Sequence, residues 1–147
     1  MSKAHTLDAL IVGAGFSGLY MLHKLRQEGF TAHVVEKASG VGGTWFWNRY
    51  PGARCDVPSL EYSVPWDPEL EQEWDWSERY SAQPEILAYI EEVARRHDLK
   101  RDIRFETTVT AMSRDEQRGL WIVETNTGTT FEAPVVVSAA GCLSTPN

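Results

Sequence analysis

Leu7-Asp8-Ala9-Leu10-Ile11-Val12-Gly13-Ala14-Gly15-Phe16-Ser17-Gly18 is the stretch that decides the fold. A short apolar run that ends at a glycine marks a buried parallel strand. The glycines then follow G-x-G-x-x-G, and apolar residues recur at helical spacing (Leu19, Leu22, Leu25) from 16 to about 28, where Gly29 ends the helix. Residues 32–36, Ala-His-Val-Val-Glu, read as a second buried strand. Strand, glycine turn, helix and strand together predict a βαβ unit.

Outward from this unit the patterns change. Residues 38–66 are dense in Gly and Pro and predict a long loop, a length that is usually functional in a small domain. The acidic residues Glu69, Glu71, Glu73, Asp75 and Glu78 read as a solvated face. A helix is predicted over 84–97, opened by Pro84 and striped by Ile86, Leu87, Ile90, Val93 and Ala94. Residues 103–137 are β-rich. Strands are predicted at 108–112, 120–125 and 129–131, with Asn126-Thr127-Gly128 as a turn, and 134–141 reads as a last buried strand. The predicted fold is α/β: a Rossmann-like domain over 1–147 with a parallel sheet and an antiparallel β-meander excursion.

Composition narrows the function. The 147 residues suit one domain, and 42% hydrophobic with 24% charged residues is ordinary for a globular protein. A net charge of −7 argues against nucleic acid or an anionic membrane as the partner. The start lacks a signal-peptide core, and 7–12 is too short to span a bilayer. Cys55 and Cys142 stand far apart, and His5, His23, His33 and His97 share no ligand spacing, so no metal is expected and a reducing, cytoplasmic compartment is. Cys55 reads as a packing residue.

The glycine loop carries the chemistry. Gly13 permits the tight turn, Gly15 lets the backbone approach a pyrophosphate, and Gly18 lets helix and strand pack closely. The helix N-terminus then offers free N–H groups and a partial positive charge. Glu36, at the end of the second strand, fits the acid that accepts a hydrogen bond from an adenosine ribose, and it would repel a 2′-phosphate. FAD or NAD therefore fits this pocket better than NADP. Past Glu36, Gly42-Gly43 could let backbone lie against a flavin or its ribityl chain, and Trp45, Phe46 and Trp47 supply flat faces. Arg49 and Arg54 would place cations near the flavin and favour its reduced form.

Gly13-Ala14-Gly15-Phe16-Ser17-Gly18-Leu19-Tyr20, residues 42–56 (Gly-Gly-Thr-Trp-Phe-Trp-Asn-Arg-Tyr-Pro-Gly-Ala-Arg-Cys-Asp) and Glu61-Tyr62 resemble the Baeyer–Villiger monooxygenases, nearest the phenylacetone and cyclohexanone enzymes. Glu73-Trp74-x-Trp76, Gln83-Pro84-Glu85 and Gly141-x-Leu143-Ser144-x-Pro146 are similar to the same family. The resemblance implies an enzyme that uses FAD, NADPH and O₂ to convert a small ketone to an ester or lactone. By position it implies that Gly13, Gly15 and Gly18 hold the FAD pyrophosphate and Glu36 the ribose. Gly43, Thr44, Trp45 and Trp47 would line the ribityl and ring region, Tyr62 would lie near the ring, and Val109 would touch the adenine. Phe16, Ser17, Lys37, Ala140 and Gly141 complete the implied cofactor set. Asp56 matches the active-site aspartate that orients a catalytic arginine. The family's F-x-G-x-x-x-H-x-x-x-W-P motif and second G-x-G-x-x-G are not found in these residues. The sequence therefore reads as the first part of an FAD domain, with a stand-alone FAD-binding module as the alternative.

Overall fold

The computed structural model describes residues 4–143. Two four-stranded sheets form the frame. In the first, β2 (Ala9–Val12), β3 (Ala32–Val35), β4 (Ile103–Arg104) and β8 (Val135–Ser138) are all parallel, in the order β4-β3-β2-β8. In the second, β5 (Val109–Asp115), β6 (Leu120–Thr125) and β7 (Thr130–Ala133) form the antiparallel meander, and β1 (His5–Thr6) pairs parallel to β7. The helices are α1 (Phe16–Gln27), a single turn α2 (Thr44–Trp47), α3 (Pro68–Glu73) and α4 (Gln83–Arg96). None of the described helices is long and apolar enough to cross a membrane.

Period-two alternation in β2 joins the layers. Ala9 and Ile11 face α1 and α4, packing with Leu19, Leu22, Ile90 and Ala94, whereas Leu10 faces the meander and packs with Val35, Val123 and Phe131. Leu10 and Ile11 are both fully buried, worth about 1.5–3 kcal/mol each in apolar burial. A third cluster joins Val64, Leu70, Tyr89 and Val93, edged by Trp66, Trp74 and Trp76. Its centre is Tyr89, whose Oη accepts from the Val64 amide at 2.8 Å.

The structure departs from the sequence reading in the last strand, the acidic stretch and the long loop, and adds the two-residue strands β1 and β4. The last strand is not fully buried: Val136 and Val137 reach the two cores, but Val135 is 50% exposed and Ser138 is exposed, because β8 is the outer strand of its sheet. The acidic stretch is solvated as expected but also holds a helix. Asp67 caps α3 by accepting from the Leu70 amide at 2.9 Å, and Leu70 is buried beneath it. The long loop is broken by α2 and by a 3₁₀ turn over Ser59–Tyr62. Cys55 is buried beside Ser59, as a packing residue should be. Ser144 and Pro146 of the terminal motif lie outside the described residues.

The end of the loop is clasped between α1 and α4. The Trp66 ring stacks on His23 at 4.3 Å and tilts against His97 at 4.8 Å, while His97 Nε2 meets Asp67 Oδ2 at 2.8 Å. Burial holds His23 below the usual imidazole range, helped by the charges of His97, Lys24 and Arg26 and opposed by Asp67. Burial and Arg104 do the same to His33, opposed by Asp102. A base with a lowered folded pKa binds its proton more readily when unfolded, so stability falls as pH drops through 6.5 toward the folded value. Burial alone would push Asp67 up, but the Leu70 amide, His97 and Arg96 hold it below its usual range, and its contribution is lost only in stronger acid. The expected result is a melting temperature that declines from pH 7.5 to 5.5, with a flatter profile in a His23→Gln/His33→Gln variant. A wild-type profile flat over that window would contradict the packing described.

Candidate functional site

The groove lies at the carboxyl ends of β2, β3 and β8, where open α/β sheets bind their ligands. Its volume is about 530 Å³. Its floor is the 13–17 turn. Gly13 has φ +106°, donates to the Val35 carbonyl at 2.9 Å, and lies so close to Ala139 that a β-carbon would overlap that carbonyl oxygen. Gly15 is the N-cap of α1, so no side chain caps this helix, and no acid stands in its first turn. The first amides of the helix, from Phe16 and Ser17, are left to whatever occupies the groove.

One wall is set by Glu36. The side chain is 6% exposed, and its two oxygens accept from the amides of Ala14 (2.6 Å) and Ala38 (2.7 Å). A carboxylate has about four acceptor positions, so capacity remains on the groove side. The residue also ties the glycine turn to the chain after β3. Its backbone binds the segment beyond β4: Glu36 N donates to Arg104 O and Thr107 N donates to Glu36 O, each at 2.9 Å. Thr107, Thr108 and Val109 thereby reach the groove, and Lys37 lies beside them.

The opposite wall is the 42–47 turn. Gly42 N donates to Ala14 O at 3.0 Å, and a β-carbon on Gly43 would stand 3.0 Å from Gly15 Cα, so the two glycine backbones face each other at close range. Thr44, Trp45 and Trp47 extend this wall. Gln83, buried at the start of α4, donates to the Trp45 carbonyl at 2.5 Å and fixes the turn. Ala139, Ala140 and Gly141 close the groove after β8.

Most of the residues singled out in the sequence meet here: Gly13, Gly15, Phe16, Ser17, Glu36, Lys37, Gly43, Thr44, Trp45, Trp47, Val109, Ala140 and Gly141 all line the groove. Three do not. Gly18 is buried against the Gly13 carbonyl, where any β-carbon would overlap it, so its part is helix–strand packing. Tyr62 sits behind the wall, edge-on to Phe16 and Trp45 at 5.6 Å each, and burial with nearby Cys55 and Asp56 pushes its phenol up. Asp56 is exposed outside the groove. The reading of Arg49 and Arg54 as cations at a flavin is corrected. Arg49 donates to the Phe46 carbonyl and lies over that ring, while Arg54 pairs with Glu78 at 2.7 Å and donates to the Tyr80 carbonyl. Ala14, Thr107, Thr108 and Ala139 are wall residues that the sequence reading missed. The Glu36 to Ala14 bond and the Thr107 to Glu36 bond recruit the first two, and neither has a local sequence signal.

The groove fits a dinucleotide cofactor on its own geometry: a cradle of facing glycine backbones, an uncapped helix N-terminus and a buried carboxylate beyond it. Comparison with known proteins agrees. Residues 11–72 match the NAD(P)-binding Rossmann-like domain family. The chain is 48% identical over 143 residues to a phenazine N-monooxygenase of Lysobacter antibioticus, covering 97% of this chain and 26% of that protein. It is also 48% identical over 141 residues to a Baeyer–Villiger monooxygenase of Pseudooceanicola batsensis, covering 95% and 26%. Among solved structures, an oxidized steroid monooxygenase bound to NADP superposes with a TM-score of 0.94 at 56% identity, over 97% of this chain and 27% of that one. A closed cyclohexanone monooxygenase gives 0.95 at 46%, over 99% and 28%. OTEMO, in complex with FAD and NADP, gives 0.91 at 37%, over 99% and 28%. The chain thus spans about a quarter of the length of the relatives it matches.

Proposed function

We infer that this chain, homologous along its length to the N-terminal quarter of the Baeyer–Villiger monooxygenases, holds FAD in the groove between its two glycine turns. We further propose that residues 1–147 are the N-terminal segment of an FAD domain whose whole enzyme uses NADPH and O₂ to turn a ketone into an ester or lactone. The observation that carries the reading is the joining of the uncapped α1 N-terminus and the buried Glu36 in one groove.

The roles follow from position. The amides of Phe16 and Ser17 would bind the pyrophosphate, and Gly15 and Gly43 would leave room for it. Glu36 would accept from the adenosine ribose, beside Val109 and Lys37. Trp45 and Trp47 would wall the flavin end, with Tyr62 behind Trp45. When bound, the flavin supplies the redox chemistry with NADPH and O₂. Asp56, close enough to Tyr62 to influence its phenol, would act at the edge of that region by orienting a cation. A cytoplasmic setting accords with the free thiols of Cys55 and Cys142.

Titration of the purified 147-residue polypeptide with FAD tests the reading. Saturable quenching of flavin fluorescence and a yellow protein with a structured visible spectrum are expected. The described residues hold one glycine-loop groove, and FAD claims it, so NADPH consumption with a ketone panel should stay at background and give no ester or lactone. Failure to bind FAD would overturn the site assignment, whereas coupled turnover would show that a nicotinamide and a ketone find places in this segment alone.

A further inference from the structure

We propose that the cavity between the end of β4 and the β6–β7 turn is a binding site for a tetrahedral oxyanion, either phosphate or a phosphomonoester group. It is separate from the cofactor groove, is an open depression of about 300 Å³, and is lined by His5, Arg104, Thr107, Thr127, Thr129 and Phe131. Only Thr107 is common to the two sites.

Arg104 is the reason to expect an anion. Among the described residues the other nine arginines each have a partner. Arg26, Arg54, Arg95, Arg96, Arg101 and Arg118 pair with carboxylates. Arg49 and Arg114 donate to carbonyls, and Arg79 lies over the Tyr80 ring. No described group pairs with Arg104, which reaches this cavity from the carboxyl end of β4. Asp102, the nearby carboxylate on the His33 side, is already engaged by Arg26 and Arg101. The positive charge of Arg104, with a smaller push from His5, also holds down the neighbouring His33, beyond the effect of its burial.

Of the lining hydroxyls one is left to give, since Thr107 Oγ1 donates to the Phe105 carbonyl at 2.8 Å and Thr127 is engaged within its own turn. In the turn after β6, Thr125 Oγ1 donates to the Thr129 carbonyl at 2.8 Å, and the single Thr127 hydroxyl proton is shared between Thr125 Oγ1 at 2.9 Å and Thr129 Oγ1 at 3.1 Å. Thr129 therefore receives at its oxygen, and its own proton is free for an acceptor in the cavity. The opposite wall is held by backbone that costs energy to keep. Glu106 has φ +52°, a left-handed conformation worth about 1–2 kcal/mol of strain for a residue with a side chain. Its amide donates to Ala38 O at 3.0 Å and its carbonyl accepts from Asn126 Nδ2 at 3.3 Å, which pins Thr107 between the two sites. A guanidinium, a donating hydroxyl and an imidazole around one space suit an oxyanion. The His5 ring, 5.6 Å from that of the buried Phe131, offers a flat face to an ester's organic part.

The test is a titration of the FAD-loaded polypeptide with inorganic phosphate and with phenyl phosphate, followed by amide and arginine-side-chain NMR shifts. Saturable shifts confined to Arg104, Thr107, Thr127 and Thr129 are expected below about 10 mM ligand. Arg104→Gln should weaken binding by roughly tenfold or more, since a charge-assisted bond is lost. Thr129→Val should weaken it less, and Arg95→Gln, whose guanidinium pairs with Glu92 on α4, should leave it unchanged. Tighter phenyl phosphate assigns the site to a phosphomonoester, and equal binding assigns it to phosphate. The proposal is overturned by the absence of saturation, by binding that survives Arg104→Gln, or by displacement of phosphate when FAD is added to the unloaded protein. Arg104 is exposed, so its variant keeps the fold on which the comparison depends.

Discussion

Gly15→Val is expected to lose FAD affinity by about a hundredfold or more, close to 3 kcal/mol, while the protein stays folded. Gly15 has an ordinary backbone angle (φ −79°), and a β-carbon there would stand 3.6 Å from Gly43 Cα, an ordinary contact. The fold can accept that atom. The two valine methyls, however, must enter the space between the glycine turns, where the pyrophosphate would pass. Gly18→Ala is the contrasting variant. Its β-carbon would overlap the Gly13 carbonyl, so α1 must move from β2, at a cost of about 3 kcal/mol or more. Flavin fluorescence titration beside thermal melts separates the two. Undiminished FAD affinity in folded Gly15→Val would sink the cradle assignment.

The second large effect is at Glu36, whose replacement by alanine should act twice. The carboxylate accepts two backbone amides in a buried position, and each charged hydrogen bond contributes about 1.5–3 kcal/mol. Glu36→Ala strips the acceptor from Ala14 and Ala38, loosening the glycine turn and lowering stability by about 3 kcal/mol. FAD affinity should fall by roughly 10- to 100-fold, because the ribose acceptor goes as well. In the unaltered protein, the same negative charge should keep NADP far weaker than FAD. Equal titration of NADP and FAD would falsify the placement of the ribose at Glu36.

Much of this was legible in the chain. The 7–18 stretch names its strand, turn and helix because the apolar run, the glycines and the helical spacing all agree. The 83–96 helix was legible for the same reason, its apolar stripe being continuous. Two kinds of feature were not. The strands β1 and β4 are two residues each, too short to show any period, and exist because a neighbouring strand pairs with them. The α3 helix hides in an acidic run because a single apolar residue, Leu70, anchors it. At the site, the glycines and Glu36 carried a local pattern. Thr107 and Thr108 carried none, since they reach the groove through a backbone bond to a residue far away in the chain. Arg49 and Arg54 misled because proximity in sequence to the tryptophans says nothing of where their guanidiniums find partners.

The pairing of β2 with β8, Ile11 beside Val137, sets a timetable for synthesis. The glycine turn emerges from the ribosome early, yet Ala139 to Gly141, which close the groove, come almost the whole described chain later. Until then the open side of β2 has no neighbour, and Ala9–Val12 remain an apolar strand with one free edge. Closing so long a loop is slow compared with forming α1. While the residues between β2 and β8 are being made, the nascent chain therefore carries a formed glycine turn and no closed groove. Within this segment cofactor capture follows the docking of β8, and free FAD should speed recovery of the native state by trapping β8 once it docks.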